Sequence, residues 1–258
     1  MKAKKSYGQH FLNQPAIAEQ IAKSLILTDT YENVLEVGPG TGNLTRFLLE
    51  EDFNLKVVEA DRDMVFALAS KYPAIMEGII REDFLKVDLK KMFDGKSFGL
   101  IGNFPYNISS QILFKMVENK ELIPEMVGMF QKEVADRVVS KEGNKTYGVV
   151  SVLIQAFYDG ESLFDVDKSC FSPPPKVQSA VIRLVRKENQ DLGCDYKLFR
   201  QVVKQTFSQR RKMLRNTIKS FLPEGFPIME NKSLQRRPEQ LSVADFVELT
   251  QFIAENRE

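Results

Sequence analysis

The sequence is poor in cysteine and histidine, and this scarcity excludes several classes of site. Cys170 and Cys194 are the only cysteines, which is too few for a disulfide framework, and their spacing is not that of metal ligands. His10 is the only histidine, so catalytic triads and zinc sites built on several imidazoles are excluded. We therefore expect no bound metal, and the cysteine usage predicts a reducing, cytoplasmic environment.

Long apolar segments are missing as well. No run approaches the about 18 apolar residues that span a membrane, and residues 1–7 lead into polar residues instead of an apolar signal segment. The 258 residues are 43% hydrophobic and 28% charged, with a net charge of +1, which is an ordinary globular composition. We expect one large domain and one small one, no membrane partner and a monomer.

Short apolar strands alternate with helical segments over the first 187 residues. Strands are predicted at residues 33–37, 55–59, 78–83, 98–102, 125–130, 148–158 and 179–185, and helices at 16–27, with Asn13 as the cap, and at 64–70 and 109–117. This order predicts a doubly wound, Rossmann-like α/β sheet for residues 1–187. A polar break near 188–193 predicts a small all-helical domain at 188–258, whose last helix begins near Ser242.

A glycine-rich loop follows the first predicted strand directly. Gly38, Gly40 and Gly42 alternate there, where a missing Cβ lets the backbone turn tightly and approach a ligand. The spacing fails the dinucleotide fingerprint because Asn43 stands where its third glycine belongs, and it fails the P-loop pattern as well. The run from Glu36 to Gly42 instead resembles the first motif of S-adenosylmethionine-dependent methyltransferases.

Two acids end the next two predicted strands. Glu59 lies 17 residues beyond Gly42, close to the spacing of about 20 expected for a carboxylate that binds ribose hydroxyls. Asp83 ends the third strand, where a carboxylate can accept a hydrogen bond from the amino group of the cofactor's adenine. Because the carboxyl ends of parallel strands share one edge of the sheet, the acids and the glycine loop are expected to form one site.

The tetrapeptide of residues 103–106 ends the fourth predicted strand and is the candidate catalytic motif. It resembles the Asn/Asp-x-Pro-aromatic motif of methyltransferases that modify exocyclic amino groups of bases. The Asn103 side-chain oxygen and the Phe104 carbonyl can each accept one hydrogen of an adenine N6, and Pro105 fixes the turn. Tyr106 offers a face for base stacking, and Phe171, next to three prolines, is the candidate for the opposite face.

Five segments together resemble one family, in the right order and over nearly the whole chain. They are residues 8–13, 36–45, 103–109, 171–180 and 208–216. They look like the KsgA (RsmA) family of small-subunit (16S) ribosomal RNA adenine N6,N6-dimethyltransferases, which modify two adjacent adenines in a hairpin loop. The resemblance implies S-adenosylmethionine as cofactor and an immature small ribosomal subunit as partner.

By the same resemblance, His10 and Leu12 line the methionine end of the cofactor, with Gly38, Glu59, Asp83 and Asn103 completing its site. Two positions depart from the family pattern. His10 stands where the family more often has Asn, and Phe104 where Leu is commoner. Both positions can contribute through backbone atoms.

A run of basic residues predicts an RNA-binding face in the small domain. Residues 196–223 contain eight Lys or Arg and no Asp or Glu. Such a face binds RNA phosphates, while the loop's shape and base stacking select the target. The expected RNA-binding residues are Lys204, Arg210, Arg211, Lys212 and Arg215; the alternative is a solvated face balanced by acids elsewhere.

Two other functions stay open at this point. One is an adenine N6-methyltransferase of the macrolide-resistance type, which acts on large-subunit ribosomal RNA and shares the core motifs. The other is a ribosome-assembly binding factor for which methylation is incidental. The segments at 208–216 and 236–242 favour the small-subunit enzyme.

Overall fold

The structure is a computed structural model that describes residues 4, 8–228 and 232–257, with the side chains of residues 232 and 233 excepted. The chain divides into two compact units. One comprises residues 1–135 and 159–186, and the other comprises 136–158 and 187–258. Residues 136–158, which the sequence analysis assigns to the first domain, thus belong to the second unit.

The larger unit is built on a seven-stranded sheet with the strand order β4-β3-β2-β5-β6-β9-β7. Its strands are β2 (Asn33–Val37), β3 (Asn54–Val58), β4 (Ile79–Ile80), β5 (Phe98–Asn103), β6 (Glu125–Gln131), β7 (Tyr158–Val166) and β9 (Ser179–Arg186). Strands β4, β3, β2, β5 and β6 run parallel, and β9 pairs antiparallel with β6. A separate two-stranded sheet joins β1 (Phe11–Leu12) to β8 (Phe171–Ser172).

Helices connect the strands and fill the second unit. They are α1 (Pro15–Ala22), α2 (Thr45–Leu48), α3 (Arg62–Lys71), α4 (Leu89–Met92), α5 (Ser109–Glu118), α6 (Lys132–Val139), α7 (Val149–Gln155), α8 (Tyr196–Ser208), α9 (Leu214–Thr217) and α10 (Val243–Asn256). Alternation of strands and helices around a mostly parallel sheet confirms the predicted doubly wound fold class. Within the residues described, none of the helices is long and apolar enough to cross a membrane.

Three predicted elements are wrong in their type or limits. The strand predicted at 78–83 is the two-residue β4, so Asp83 lies in the loop that follows the strand and not at its end. Residues 148–158 were predicted as a strand, but they form α7 and the first residue of β7. Gly148 caps this helix, with its N–H donating to Ser151 Oγ at 3.0 Å. The helix predicted at 16–27 ends at Ala22, and its cap is Gln14 instead of Asn13, whose N–H donates to the Cys170 carbonyl at 2.8 Å.

The core of the larger unit lies between the sheet and its helices. Val34 on β2, Leu48 on α2 and Leu68 on α3 are all fully buried in one hydrophobic cluster. All five residues of β2 are buried, as expected for a central strand covered on both faces. The central strands therefore form a rigid base for the loops at their carboxyl ends.

The second unit is held by aromatic contacts between its helices. The Phe207 ring on α8 lies 5.8 Å from that of Phe246 on α10, and 6.1 Å from that of Tyr147. Helix α10 begins as predicted: Ser242 Oγ accepts from Asp245 N at 3.1 Å, and Asp245 Oδ2 accepts from Ser242 N at 2.8 Å. This reciprocal capping satisfies donors that the first turn leaves unpaired.

Candidate active site

A cavity of about 460 Å³ opens where β2, β3, β4 and β5 end at their carboxyl edge. This is the position at which open α/β sheets bind ligands. The predicted site residues that line it are His10, Leu12, Gly38, Gly40, Glu59, Asp83, Asn103, Phe104, Pro105 and Tyr106. Gly42 and Phe171 are predicted site residues that lie outside its lining.

The glycine loop needs glycine for two different reasons. Gly40 has φ +54°, and a Cβ there would meet the Phe11 ring at 3.1 Å. Gly42 has φ +77°, and a Cβ there would lie 2.5 Å from the Tyr72 ring. Gly40 lines the cavity, whereas Gly42 permits close packing of the loop against Leu68 of α3 and against Tyr72.

Glu59 is a buried carboxyl group that ties the glycine loop to β3. Its Oε2 accepts from Gly40 N at 3.1 Å and its Oε1 from Asp61 N at 2.9 Å. Burial raises its pKa, and the two backbone N–H groups oppose that rise. Each carboxyl oxygen keeps a further lone pair with which it can accept from a ligand hydroxyl.

Asp83 lines the same cavity from the loop after β4. Its Oδ1 accepts from Leu85 N at 3.0 Å, which folds the loop back on itself. Both carboxylate oxygens keep lone pairs with which they can accept from a ligand. Glu82 and Phe84 line the cavity beside it, and sequence reasoning missed both.

The tetrapeptide at the end of β5 is fixed by contacts on both sides. Phe104 is buried, donates from its backbone N to the Met129 carbonyl at 3.2 Å, and packs its ring 5.0 Å from that of Phe130. A Cβ at Gly128 would collide with the Phe104 ring, so this glycine makes room for it. The Phe104 side chain serves packing, and the residue also lines the cavity.

The orientation of the Asn103 amide is set by the N-terminal segment. Its Nδ2 donates to the His10 carbonyl oxygen at 3.1 Å. This leaves Oδ1 as the acceptor that Asn103 can present to a ligand.

His10 contacts the predicted stacking residue directly. Its ring lies nearly parallel to that of Tyr106, at 5.4 Å and 26°, and its Nδ1 donates to the Pro173 carbonyl at 2.8 Å. The Tyr106 hydroxyl is hydrogen-bonded to Ser179 Oγ at 2.5 Å, and burial raises the Tyr106 pKa. The sequence analysis did not predict this stack.

Phe171 lies in the hydrophobic core instead of in the cavity. Its backbone pairs with Leu12 where β1 meets β8, and its side chain is 3% exposed. Leu12, its strand partner, does line the cavity. The role of Phe171 in base stacking stays a prediction.

Glu36 is the most deeply buried acid at the cavity, and the sequence analysis used it only as part of a motif. Thr45 Oγ1 donates to its Oε2 at 2.7 Å. Burial raises the pKa of Glu36 to about 8, and the nearby Glu59 adds to this rise. Its neighbours Gln9, Phe11 and Asn43 in the lining were also missed, although Gln9 and Phe11 fall within the quoted 8–13 segment.

The predicted RNA-binding residues lie in and after α8. Lys204, Arg211 and Lys212 are exposed, and Arg215 is half-buried. Arg210 is also half-buried: its Nε lies 2.6 Å from Glu239 Oε2, and its Nη2 donates to the Asn144 carbonyl at 3.2 Å. RNA contact by these residues stays a prediction.

The part of the chain that the structure describes holds no cluster of three or more His, Cys, Asp or Glu arranged to bind a metal ion.

The comparisons with known proteins each cover nearly the whole chain. A family model described as ribosomal RNA adenine dimethylase matches residues 1–255. The ribosomal RNA small subunit methyltransferase A of Bacteroides thetaiotaomicron is 54% identical over 257 residues, which cover 99% of this chain and 95% of the relative. A solved dimethyladenosine transferase from Plasmodium falciparum is 25% identical, with a TM-score of 0.79 over 95% of this chain and 98% of that one. The solved 23S rRNA methyltransferase ErmE, 21% identical with a TM-score of 0.67 over 93% of this chain and 99% of that one, shares the fold.

Proposed function

The chain belongs to the ribosomal RNA adenine dimethylase family, and we propose that it dimethylates N6 of two adjacent adenines in a small-subunit ribosomal RNA hairpin loop, with S-adenosylmethionine as the methyl donor. The 54% identity with a small-subunit methyltransferase supports this choice over a large-subunit target, since the solved 23S rRNA methyltransferase is only 21% identical. The proposed setting is ribosome assembly in the cytoplasm, with the enzyme acting as a monomer.

The cavity fits the proposed cofactor. Glycines replace side chains where the loop approaches the cavity, Glu59 can accept from ribose hydroxyls, and Asp83 can accept from the adenine amino group. When bound, S-adenosylmethionine supplies an electrophilic methyl group on a positively charged sulfur. His10 and Leu12 also line the cavity, and we propose that they contact the methionine portion.

Asn103 and Phe104 prepare the target nitrogen. The N6 lone pair of adenine is delocalised into the ring, so the nitrogen is a poor nucleophile until its hydrogens are held. Asn103 Oδ1 and the Phe104 carbonyl can each accept one of them, which directs the lone pair toward the methyl group. The released proton passes to water, so the step requires no general base.

One observation carries the proposal. The His10 carbonyl holds Asn103 Nδ2 at 3.1 Å, so the amide offers its oxygen to the base without having to rotate. An acceptor fixed before the base arrives lowers the reorganisation that the transition state requires.

Tyr106 provides the stacking face for the extruded base. The Ser179 hydrogen bond fixes the orientation of its ring. Stacking on an aromatic ring stabilises a bound base by about 1–3 kcal/mol, which offsets part of the cost of unstacking it. That cost is smallest in a loop, in agreement with the proposed target.

The exposed cations Lys204, Arg211 and Lys212, with the half-buried Arg215, are proposed to bind the RNA backbone, whereas Arg210 is engaged by Glu239. Their role is to hold the RNA through phosphate contacts, which carry no sequence information. Choice of the adenine then depends on loop shape and on the pocket formed by Asn103 and Tyr106.

The proposal is tested by transfer of labelled methyl groups to small and large ribosomal subunits from cells that lack the gene. We expect N6,N6-dimethyladenosine in the small subunit alone. Label confined to the large subunit would favour the resistance-type enzyme, and label in neither would favour the assembly factor.

The Asn103→Ala variant tests the catalytic assignment. We expect a loss of about 100-fold or more in the methylation rate, because the variant lacks a preorganised acceptor. Asn189→Ala, at an exposed loop position, is the matched control and should keep the wild-type rate. A wild-type rate in Asn103→Ala would overturn the assignment, and full rescue of subunit assembly by an inactive Asn103→Ala would make methylation incidental.

A further inference from the structure

We propose that Lys115 on α5 is a positioning residue that sets the adenine specificity of the cofactor site by holding the loop that carries Asp83. The inference rests on the proposed function, because it concerns the cofactor's adenine. Lys115 itself is absent from the cavity lining, so it acts through another residue.

The contacts of Lys115 converge on this loop. Its Nζ donates to the Leu85 carbonyl at 3.0 Å and to the Val87 carbonyl at 2.6 Å. It also lies 5.3 Å from the centre of the Phe84 ring. Three successive parts of the loop are thus held by one ammonium group from a neighbouring helix.

The loop has internal hydrogen bonds that transmit this support to Asp83. Leu85 N donates to Asp83 Oδ1 at 3.0 Å, and Lys86 N donates to the Asp83 carbonyl at 2.8 Å. Leu85 therefore makes both contacts: its carbonyl accepts from Lys115, and its N–H donates to Asp83 Oδ1. A shift of Leu85 would therefore displace the carboxylate directly.

The electrostatic surroundings agree with this geometry. Burial lowers the pKa of Lys115, and Asp83 heads the acids that oppose this effect, followed by Glu82, Asp88 and Glu118. A partly desolvated ammonium group is thus held in place by two carbonyls, within electrostatic reach of the carboxylate that it positions.

Helix α5 gives Lys115 a fixed origin. The helix begins at Ser109, whose Oγ donates to the Pro105 carbonyl at 3.2 Å and to the Tyr106 carbonyl at 3.1 Å. The start of this helix therefore contacts the catalytic turn of residues 103–106, and Lys115, near its end, holds the loop that carries Asp83. One helix thus contacts both the catalytic turn and the loop that carries Asp83.

The consequence for specificity follows from the acceptor chemistry of Asp83. Its Oδ1 accepts from Leu85 N, which fixes the orientation of the carboxylate, and its remaining lone pairs can accept from the 6-amino group of adenine. Hypoxanthine carries a carbonyl oxygen at that position and cannot donate there. A loop that holds Asp83 in place thus favours adenine, and a loosened loop favours neither base.

The test is a comparison of S-adenosylhomocysteine with S-inosylhomocysteine by calorimetry, for the wild-type protein and Lys115→Met. We expect the variant to bind S-adenosylhomocysteine about tenfold more weakly, since hydrogen bonds to a charged donor are lost, and to bind the inosine analogue within about twofold of wild type. Lys91→Met is the matched control: its side chain is 85% exposed and pairs only with Asp88 at 3.5 Å among the contacts described. It should change neither affinity.

Each other outcome is decisive. Equal weakening of both analogues would mean general damage to the fold, and no weakening of either would mean that the loop does not depend on Lys115; both overturn the inference. If Lys115→Met does not fold, Lys115→Gln, which keeps an amide donor, is measured by the same comparison. A wild-type protein that fails to bind S-adenosylhomocysteine would overturn the proposed function and this inference together, whereas normal wild-type binding with an unchanged variant overturns the inference alone.

Discussion

Glu36 shows how a single side chain in the cavity responds to its surroundings. It is 1% exposed, and its one side-chain hydrogen bond among those described comes from Thr45. Burial raises its pKa from 4.5 to about 8, so the carboxyl group is protonated in the folded protein at neutral pH. In the unfolded chain the same group is ionised above its ordinary pKa.

This difference predicts a pH-dependent stability. Below pH 4.5 both states hold the proton; between pH 4.5 and 8 only the folded state does, so the free energy of unfolding falls as pH rises, by up to about 1.4 kcal/mol per pH unit. Glu36→Gln removes this contribution, and its stability should decline less over that range. Urea denaturation at several pH values measures the effect, with the exposed Glu51→Gln as control. Equal pH slopes in wild type and Glu36→Gln would contradict the assigned protonation.

Among the elements, the positions of the sharp turns could be predicted from the sequence, whereas the secondary structure of buried apolar segments could not. The glycine loop and the tetrapeptide contain residue types that only particular tight turns require. Both lie at the cavity, as the sequence analysis expected. Residues 149–155 form a helix where a strand was predicted, because the periodicity of a short, largely buried apolar run does not separate helix from strand. Phe171 joins the core through a strand pair with Leu12, a contact between segments about 160 residues apart that local pattern does not reveal.

The basic segment after α8 contains residues in two different environments. Arg210 is bound to Glu239 and to the Asn144 carbonyl, and Gly143 N donates to the Glu239 carbonyl at 2.7 Å. Arg211 and Lys212 are exposed to solvent. We therefore expect Arg210 to stabilise the fold, and Arg211 and Lys212 to bind RNA.

Substitutions to Gln distinguish the role in stability from the role in RNA binding. Arg210→Gln should lower the free energy of unfolding by about 0.5–1 kcal/mol, the range for a partly exposed ion pair. Arg211→Gln and Lys212→Gln should leave stability unchanged and weaken binding of a ribosomal RNA hairpin several-fold. Denaturation and fluorescence anisotropy measure the two effects. A loss of stability in Arg211→Gln as large as that in Arg210→Gln would contradict this division.

At the scale of the whole molecule, a net charge of +1 conceals an uneven distribution. Residues 136–158 and 187–258 carry 16 Lys and Arg against 12 Asp and Glu, whereas residues 1–135 and 159–186 carry 20 against 23. The unit with the basic segment is thus positive, and the unit with the cavity is slightly negative. Association with a polyanion is expected to depend on the first unit's local charge and not on the net charge.

Salt should therefore affect the two ligands very differently. Four phosphate contacts, by Lys204, Arg211, Lys212 and Arg215, predict that log affinity for the RNA hairpin falls against log salt with a slope of about −3, because each contact releases a counterion. Affinity for S-adenosylhomocysteine should change less than about twofold over 50–300 mM KCl, since its hydrogen bonds lie in a partly enclosed cavity where screening is weak. Anisotropy with the hairpin and calorimetry with the cofactor product measure both slopes in one protein preparation. An RNA slope near zero would mean that base stacking at Tyr106 alone carries the affinity, and would remove the basic segment from the binding surface.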